Sequence, residues 1–107
     1  MTFVDVKDDQ NMNPKLIESK ITKKTKAIMP VHLTGRICDM TAIMKIAKKY
    51  NLKIIEDSAD TLGAKINNIS TGVYSDISIT SFYGSHVISC AANGGMFLTN
   101  NERKKIK

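Results

Sequence analysis

Apolar residues recur along this chain in two rhythms, and the changes between them mark its elements. Residues 2–6 (TFVDV) predict a short strand. Asn13-Pro14 reads as a helix start, with Asn as the cap and Pro at the first helical position. Leu16, Ile17 and Ile21 would form the buried stripe of that helix. Residues 26–31 (KAIMPV) are nearly all apolar, as in a strand buried on both faces. Pro30 falls near the end of the run, where a lost ladder bond costs least. The clearest helix follows its cap, Asp39. Met40, Ile43, Met44, Ile46, Ala47 and Tyr50 recur at helical spacing, while Lys45, Lys48 and Lys49 fall on the wet side. Asn51 is its stop signal.

Residues 52–55 (LKII) predict the next strand, with Glu56-Asp57 at its end. Residues 64–70 (AKINNIS) predict a small hairpin around an Asn-Asn turn. Residues 76–82 (DISITSF) alternate as a strand, and residues 95–99 (GMFLT) give the last one. Asn100-Asn101 would cap a helix that has barely begun at Lys107. Strand, helix, strand, helix, strand is the pattern of an α/β domain, a mostly parallel sheet flanked by helices. The chain starts on a strand and stops as a helix begins. Both ends are expected to be cuts through a larger fold.

Composition narrows the function classes. A chain of 107 residues fits one domain. No apolar run approaches the ~18 residues of a membrane span. The N-terminus, MTFVDVKDD, has no basic stretch followed by an apolar one, so no signal peptide is expected and a cytoplasmic protein is. The net charge of +6 raises the question of nucleic acid. Its distribution argues against that partner, because the lysines sit at predicted solvated faces and no aromatic residues interleave with them. The two cysteines, Cys38 and Cys90, form no CxxC pair, and neither a disulfide framework nor a zinc site is expected. Asn68-Ile69-Ser70 matches a glycosylation sequon but is read as a turn.

In open α/β sheets, ligands collect beyond the carboxyl ends of the strands. Four segments fall there: residues 32–35 (HLTG), residues 57–60 (DSAD), residues 81–86 (SFYGSH), and Gly94-Gly95 leading into the last strand. Each alone is weak. An Asp after a strand is more often a cap, a lone His more often structural, and Gly-Gly more often a plain turn.

Together they are specific. The stretch PVHLTGRICDMTAIMKIAKKYNLKIIEDSADTLGA resembles the DegT/DnrJ/EryC1/StrS family of sugar aminotransferases. His32, Gly35, Asp39, Met40, Glu56, Asp57, Ala59, Gly63, Ala64, Ser81, Phe82, Tyr83, Gly94 and Gly95 match the family pattern. The opening residues match it as well, so the resemblance covers nearly the whole chain. It implies the fold-type I fold of vitamin B6 enzymes, with residues 1–107 as the central part of the cofactor-binding large domain. It also implies pyridoxal or pyridoxamine 5′-phosphate as cofactor, a nucleotide-linked 4-keto sugar as substrate, and a homodimer with sites at the interface. The family's phosphate loop and ring-stacking aromatic residue are absent from these residues, so weak cofactor binding is expected of the 107 residues alone.

The resemblance assigns roles. Asp57 would face the pyridine nitrogen and keep it protonated, which makes the ring an electron sink. Ser81 would donate to the phosphate. Asp60 stands where the family usually has Gln, beside the cofactor ring. His32 would support the site. His86, five residues after Ser81 and nine before Gly95, stands where the aminotransferases have the Lys that forms the Schiff base. An imidazole has no primary amine for that bond. A His there resembles the 3-dehydratase branch, which uses pyridoxamine phosphate and a His base. An unperturbed His titrates at about 6.5, near working pH, which suits acid–base work. A 3-dehydratase with His86 as base is therefore expected ahead of an aminotransferase relative that lost its Lys, or an inactive truncated homologue. Some dehydratases carry a two-iron, two-sulfur cluster, which needs four cysteines; the two here do not supply one.

Overall fold

The computed structural model describes residues 1–86, 88–91 and 93–99. The predicted cap at Asn100-Asn101 and the basic tail lie outside the described residues. A four-stranded sheet forms the frame. Its strands are β1 (Ala27–Ile28), β2 (Lys53–Asp57), β5 (Ile77–Ser81) and β6 (Gly95–Leu98), in the spatial order β1-β2-β5-β6. β1, β2 and β5 run parallel, and β6 joins β5 antiparallel. A separate two-stranded hairpin, β3 (Lys65–Ile66) with β4 (Ile69–Ser70), leaves the main sheet. Asn67 and Asn68 both take positive φ, at 51° and 63°, as a tight hairpin turn requires.

The crossover from β1 to β2 carries the main helix, α2 (Met40–Lys49). The Asp39 side chain accepts the Ala42 N–H at 3.0 Å and satisfies one of the four unpaired amides at its start. Met40, Ile43, Ile46 and Ala47 are buried against Ile28 and Ile54, so the apolar stripe seats on one face of the sheet. Each large aliphatic side chain buried there contributes about 1.5–3 kcal/mol. Tyr50 departs from the expected stripe. It is exposed, and its hydroxyl donates to Glu18 Oε2 at 2.8 Å. Asn51 turns the chain out of the helix with φ 52°.

Four expectations need correction. Residues 2–6 form no strand; among the described residues their one ladder contact is an antiparallel bridge from Val6 to Met12. Alternation gives a strand only where a partner offers a ladder, and no sheet edge reaches these residues. The first helix, α1 (Pro14–Ile17), is one turn long, capped by Asn13 and followed by a 3-10 turn over Glu18–Lys20. Ile17 is buried, but Leu16 is exposed, because so short a helix turns only one position toward α2. Residues 26–31 are not buried on both faces. Ile28 and Pro30 face the core, while Met29 and Val31 are 45% and 44% exposed. The second crossover, β2 to β5, carries the hairpin rather than a helix among the described residues.

Strand alternation therefore sorts the sheet into two unlike faces. Ile54, Glu56, Ser78 and Thr80 point into the covered face with Ile28. Val31, Asp57 and Ile79 lie in register across the other face. That face is more open and carries its polar groups at the carboxyl ends of the strands.

Candidate functional site

The carboxyl end of β2 delivers Asp57, and the turn after it delivers Asp60. Asp57 is half-buried, and its backbone is tied to both neighbouring strands. Its amide donates to the Pro30 carbonyl at 2.9 Å, and its carbonyl accepts the His32 N–H at 3.0 Å. Its Oδ1 accepts the Ala59 N–H at 3.1 Å, which fixes the carboxylate plane. Oδ2 has no hydrogen-bond partner among the described residues. Ser81 ends β5 on the same sheet face, two residues beyond Ile79, the register partner of Asp57. Its Oγ accepts the Tyr83 N–H at 3.2 Å, so the hydroxyl proton is free to point outward.

Beyond Ser81 the chain turns sharply. The His86 amide donates to the Tyr83 carbonyl at 2.9 Å. The loop returns through Phe82, whose amide donates to the Gly94 carbonyl at 2.7 Å. A Cβ on Gly94 would fall 2.5 Å from Cys90 Sγ, so a larger residue there would require the Cys90 side chain to move. Cys90 is exposed and packs on that glycine. The turn brings the His86 imidazole to Asp60, with Nδ1 3.3 Å from Oδ1. The Tyr83 ring meets the imidazole edge-on, with centroids 6.4 Å apart. Asp60 Oδ2 accepts the Thr34 N–H at 3.2 Å. All four predicted site residues, Asp57, Asp60, Ser81 and His86, thus stand at one edge of the sheet. Asp60 and His86 are in direct contact, and Asp57 and Ser81 share a face beside them.

Beneath this edge lies a second imidazole–carboxylate pair. His32 and Glu56 are each 1% exposed, and His32 Nε2 is 2.8 Å from Glu56 Oε1. The same oxygen accepts the Gly72 N–H at 2.8 Å. Burial disfavours an ionised Glu56, but His32, the Gly72 N–H and the nearby Ser75 hydroxyl outweigh it and hold the carboxyl below its ordinary value. That hydroxyl donates to the Gly72 carbonyl at 3.2 Å, and Oε2 itself has no hydrogen-bond partner among the described residues. For His32, burial opposes a charged ring, while the contact with Glu56 favours one. The backbone opposes a second ring proton, because Nδ1 accepts the Cys38 N–H at 3.2 Å and protonation there would break that bond. We assign a neutral ring that donates from Nε2 to a carboxylate.

Glu56 was not among the predicted site residues. Its signal was the strand alternation, which puts it in phase with Ile54 on the buried face, where a carboxylate requires a partner. Thr34 lay within the strand-end segment 32–35, but nothing in the pattern singled out its backbone amide.

A cleft of about 760 Å³ lies elsewhere, between the N-terminal residues and β1, among apolar side chains such as Phe3, Met12 and Met29. None of the predicted site residues lines it. Among the described residues, no group of three or more His, Cys, Asp or Glu could hold a metal ion. No helix among them is long and apolar enough to cross a membrane.

The chain is similar to known proteins along its length. The profile of the DegT/DnrJ/EryC1/StrS aminotransferase family matches residues 1–107. A dTDP-3-amino-3,4,6-trideoxy-alpha-D-glucose transaminase from Micromonospora megalomicea is 42% identical over 94% of this chain and 27% of its own length. The chain spans about a quarter of the length of the curated relatives it matches. Among solved structures, NtdA from Bacillus subtilis, with its cofactor pyridoxamine phosphate bound, superposes with a TM-score of 0.87 at 36% identity, over 94% of this chain and 22% of its own. An H188N mutant of GDP-4-keto-6-deoxymannose-3-dehydratase with bound GDP-perosamine superposes at 0.84 with 28% identity, over 94% and 26%. The fold is that of the fold-type I, pyridoxal phosphate-dependent aminotransferases.

Proposed function

The chain belongs to the DegT/DnrJ/EryC1/StrS aminotransferase family, and on that premise we propose that it forms the central part of the cofactor-binding domain of an enzyme acting on nucleotide-linked sugars. Pyridoxal or pyridoxamine 5′-phosphate is the cofactor of this family. The observation that carries the reading is the convergence of Asp57, Ser81, Asp60 and His86 on one sheet edge, in a chain matched by the family over its whole length.

The residues present fit such a cofactor. Asp57 has a carboxylate oxygen without a hydrogen-bond partner among the described residues, suited to a pyridinium N–H. Ser81 keeps a hydroxyl proton for a phosphate oxygen. When bound, the cofactor supplies an electron sink that stabilises negative charge at an adjacent carbon. The chain's own part is to orient the ring through Asp57, hold the phosphate through Ser81, and move a proton through His86. An imidazole suits that last task because its two ring nitrogens can accept and donate a proton.

Amino-group transfer is the leading reaction. The family is one of aminotransferases, and the curated relatives that match this chain include a transaminase 42% identical to it. This reverses the order expected from the sequence. A second reading, loss of the C3 hydroxyl from a 4-keto sugar, rests on one observation: residue 86 is a His, which leaves no amine at that position for covalent anchoring. Under either reading the natural-length protein is a cytoplasmic homodimer.

The test uses the natural-length protein. Pyridoxal phosphate is added, borohydride traps any covalent adduct, and peptide mapping locates it. No stoichiometric adduct is expected in the wild type, whereas His86→Lys should gain one at residue 86. A fully modified Lys elsewhere would identify a replacement anchor and strengthen amino transfer. The protein is then given an amino donor and a nucleotide-linked 4-keto-6-deoxyhexose. A product with an amino group in place of the oxo group supports the leading reading. A 3-deoxy product supports the second. Failure to bind either cofactor form would overturn both.

A further inference from the structure

We propose that Asp60 is the positioning residue of His86, and that the left-handed turn at Thr34 serves to hold Asp60. This rests on the reading of His86 as the group that moves a proton at the site. Three segments distant in sequence meet here. Asp60 Oδ1 faces His86 Nδ1 at 3.3 Å, and Asp60 Oδ2 accepts the Thr34 N–H at 3.2 Å. With one oxygen tied to backbone, the carboxylate cannot swing freely away from the imidazole.

Thr34 supplies an independent sign. Its φ of 54° and ψ of 36° are left-handed, a conformation that L residues avoid and β-branched ones avoid most. Strain of this kind persists where surrounding structure imposes it, and it clusters at functional sites. Here it aims the Thr34 N–H at the carboxylate. Gly35 follows with φ 80°, and a Cβ built on it would be 3.8 Å from the Asp60 carbonyl oxygen, so the turn also lies against the Asp60 backbone.

The chemical consequence concerns the ring proton. An ionised carboxylate only accepts, so the imidazole nitrogen facing it carries the proton. In the neutral ring that nitrogen is Nδ1, and Nε2 is left with the lone pair. Asp60 thereby selects the tautomer whose basic nitrogen is Nε2, the one not facing the carboxylate. His32 has the opposite arrangement, with its proton on Nε2 and its lone pair on Nδ1.

The proposal is tested by the tautomer of His86, read from long-range nitrogen–proton NMR correlations in natural-length protein labelled with nitrogen-15 histidine. The wild type should show the Nδ1–H form. Asp60→Ala should shift the ring toward Nε2–H and lower the His86-dependent rate by roughly ten- to a hundredfold, as when the group orienting an imidazole is removed. Asp60→Asn keeps the size and one acceptor and should retain part of both properties. If Asp60→Ala and Asp60→Asn both keep the wild-type tautomer and rate, the proposal is wrong. A separate control tests its premise. If His86→Ala keeps the full rate, the functional reading of His86 fails, while the tautomer result still decides whether Asp60 orients the ring.

Discussion

Two imidazole–carboxylate pairs lie in one small domain and do opposite things. His32 and Glu56 meet at 2.8 Å with side chains 0% and 1% exposed. His86 and Asp60 meet at 3.3 Å with side chains 25% and 37% exposed. In the buried pair both ring nitrogens are engaged, and Glu56 Oε1 also binds the Gly72 amide. Such a pair joins the turn after β1, the strand β2 and the segment before β5 into one scaffold. In the more exposed pair the contact is longer, and the second ring nitrogen has no hydrogen-bond partner among the described residues, as the proposed proton transfer requires. Residue types alone do not separate scaffold from chemistry; burial and the number of partners do.

The largest expected effect breaks the exposed pair at its reactive end. His86→Ala should lower the turnover of the natural-length enzyme by about 10²–10⁴, the usual worth of a positioned acid–base group. Its unfolding free energy should move by no more than about 1 kcal/mol, as for a partly exposed side chain with few partners. Steady-state kinetics beside urea denaturation would measure both, and a large stability loss would contradict the contrast.

Glu56→Ala should do the reverse to the buried pair. It strands the His32 Nε2–H and the Gly72 amide without an acceptor, and should cost about 3 kcal/mol of stability. A cost under about 1 kcal/mol in the same denaturation assay would show that Glu56 is not part of the scaffold.

The third effect is in pH. Glu56 is held below the ordinary carboxyl value when folded, against the burial that alone would raise it, by its hydrogen bonds to His32 and the Gly72 amide. Its contribution to stability is therefore whole above that value and disappears as pH falls through the lower folded value. Melting temperature should drop on the acid side in the wild type, and Glu56→Gln should flatten that limb.

The smallest effect sharpens the link between strain and site. Thr34→Gly removes the left-handed penalty on a β-branched residue, and part of that gain is lost to the freer unfolded chain. The net stability change should lie within about 1 kcal/mol and be favourable, measured by urea midpoint. A clear loss of stability would mean that the Thr34 side chain itself supports the turn.

The sequence alone determined what local rules can decide. Asp39 and the stripe from Met40 to Ala47 announced α2, because capping and a 3.6-residue period depend only on near neighbours. Asn67-Asn68 announced the hairpin, because both residues tolerate positive φ. The four strand-end segments were legible for the same reason, and the family pattern tied them together. Tertiary structure decided what needed distant partners. It left residues 2–6 without a ladder, opened one face of β1, and paired Glu56 with His32 across 24 positions. It also set Asp60, from the turn after β2, against His86, from the turn after β5, and against the Thr34 amide. Parallel strands bring their carboxyl ends to one edge whatever the chain length between them. Which side chains touch there depends on strand register and on the turns beyond each strand, and neither is written in local pattern.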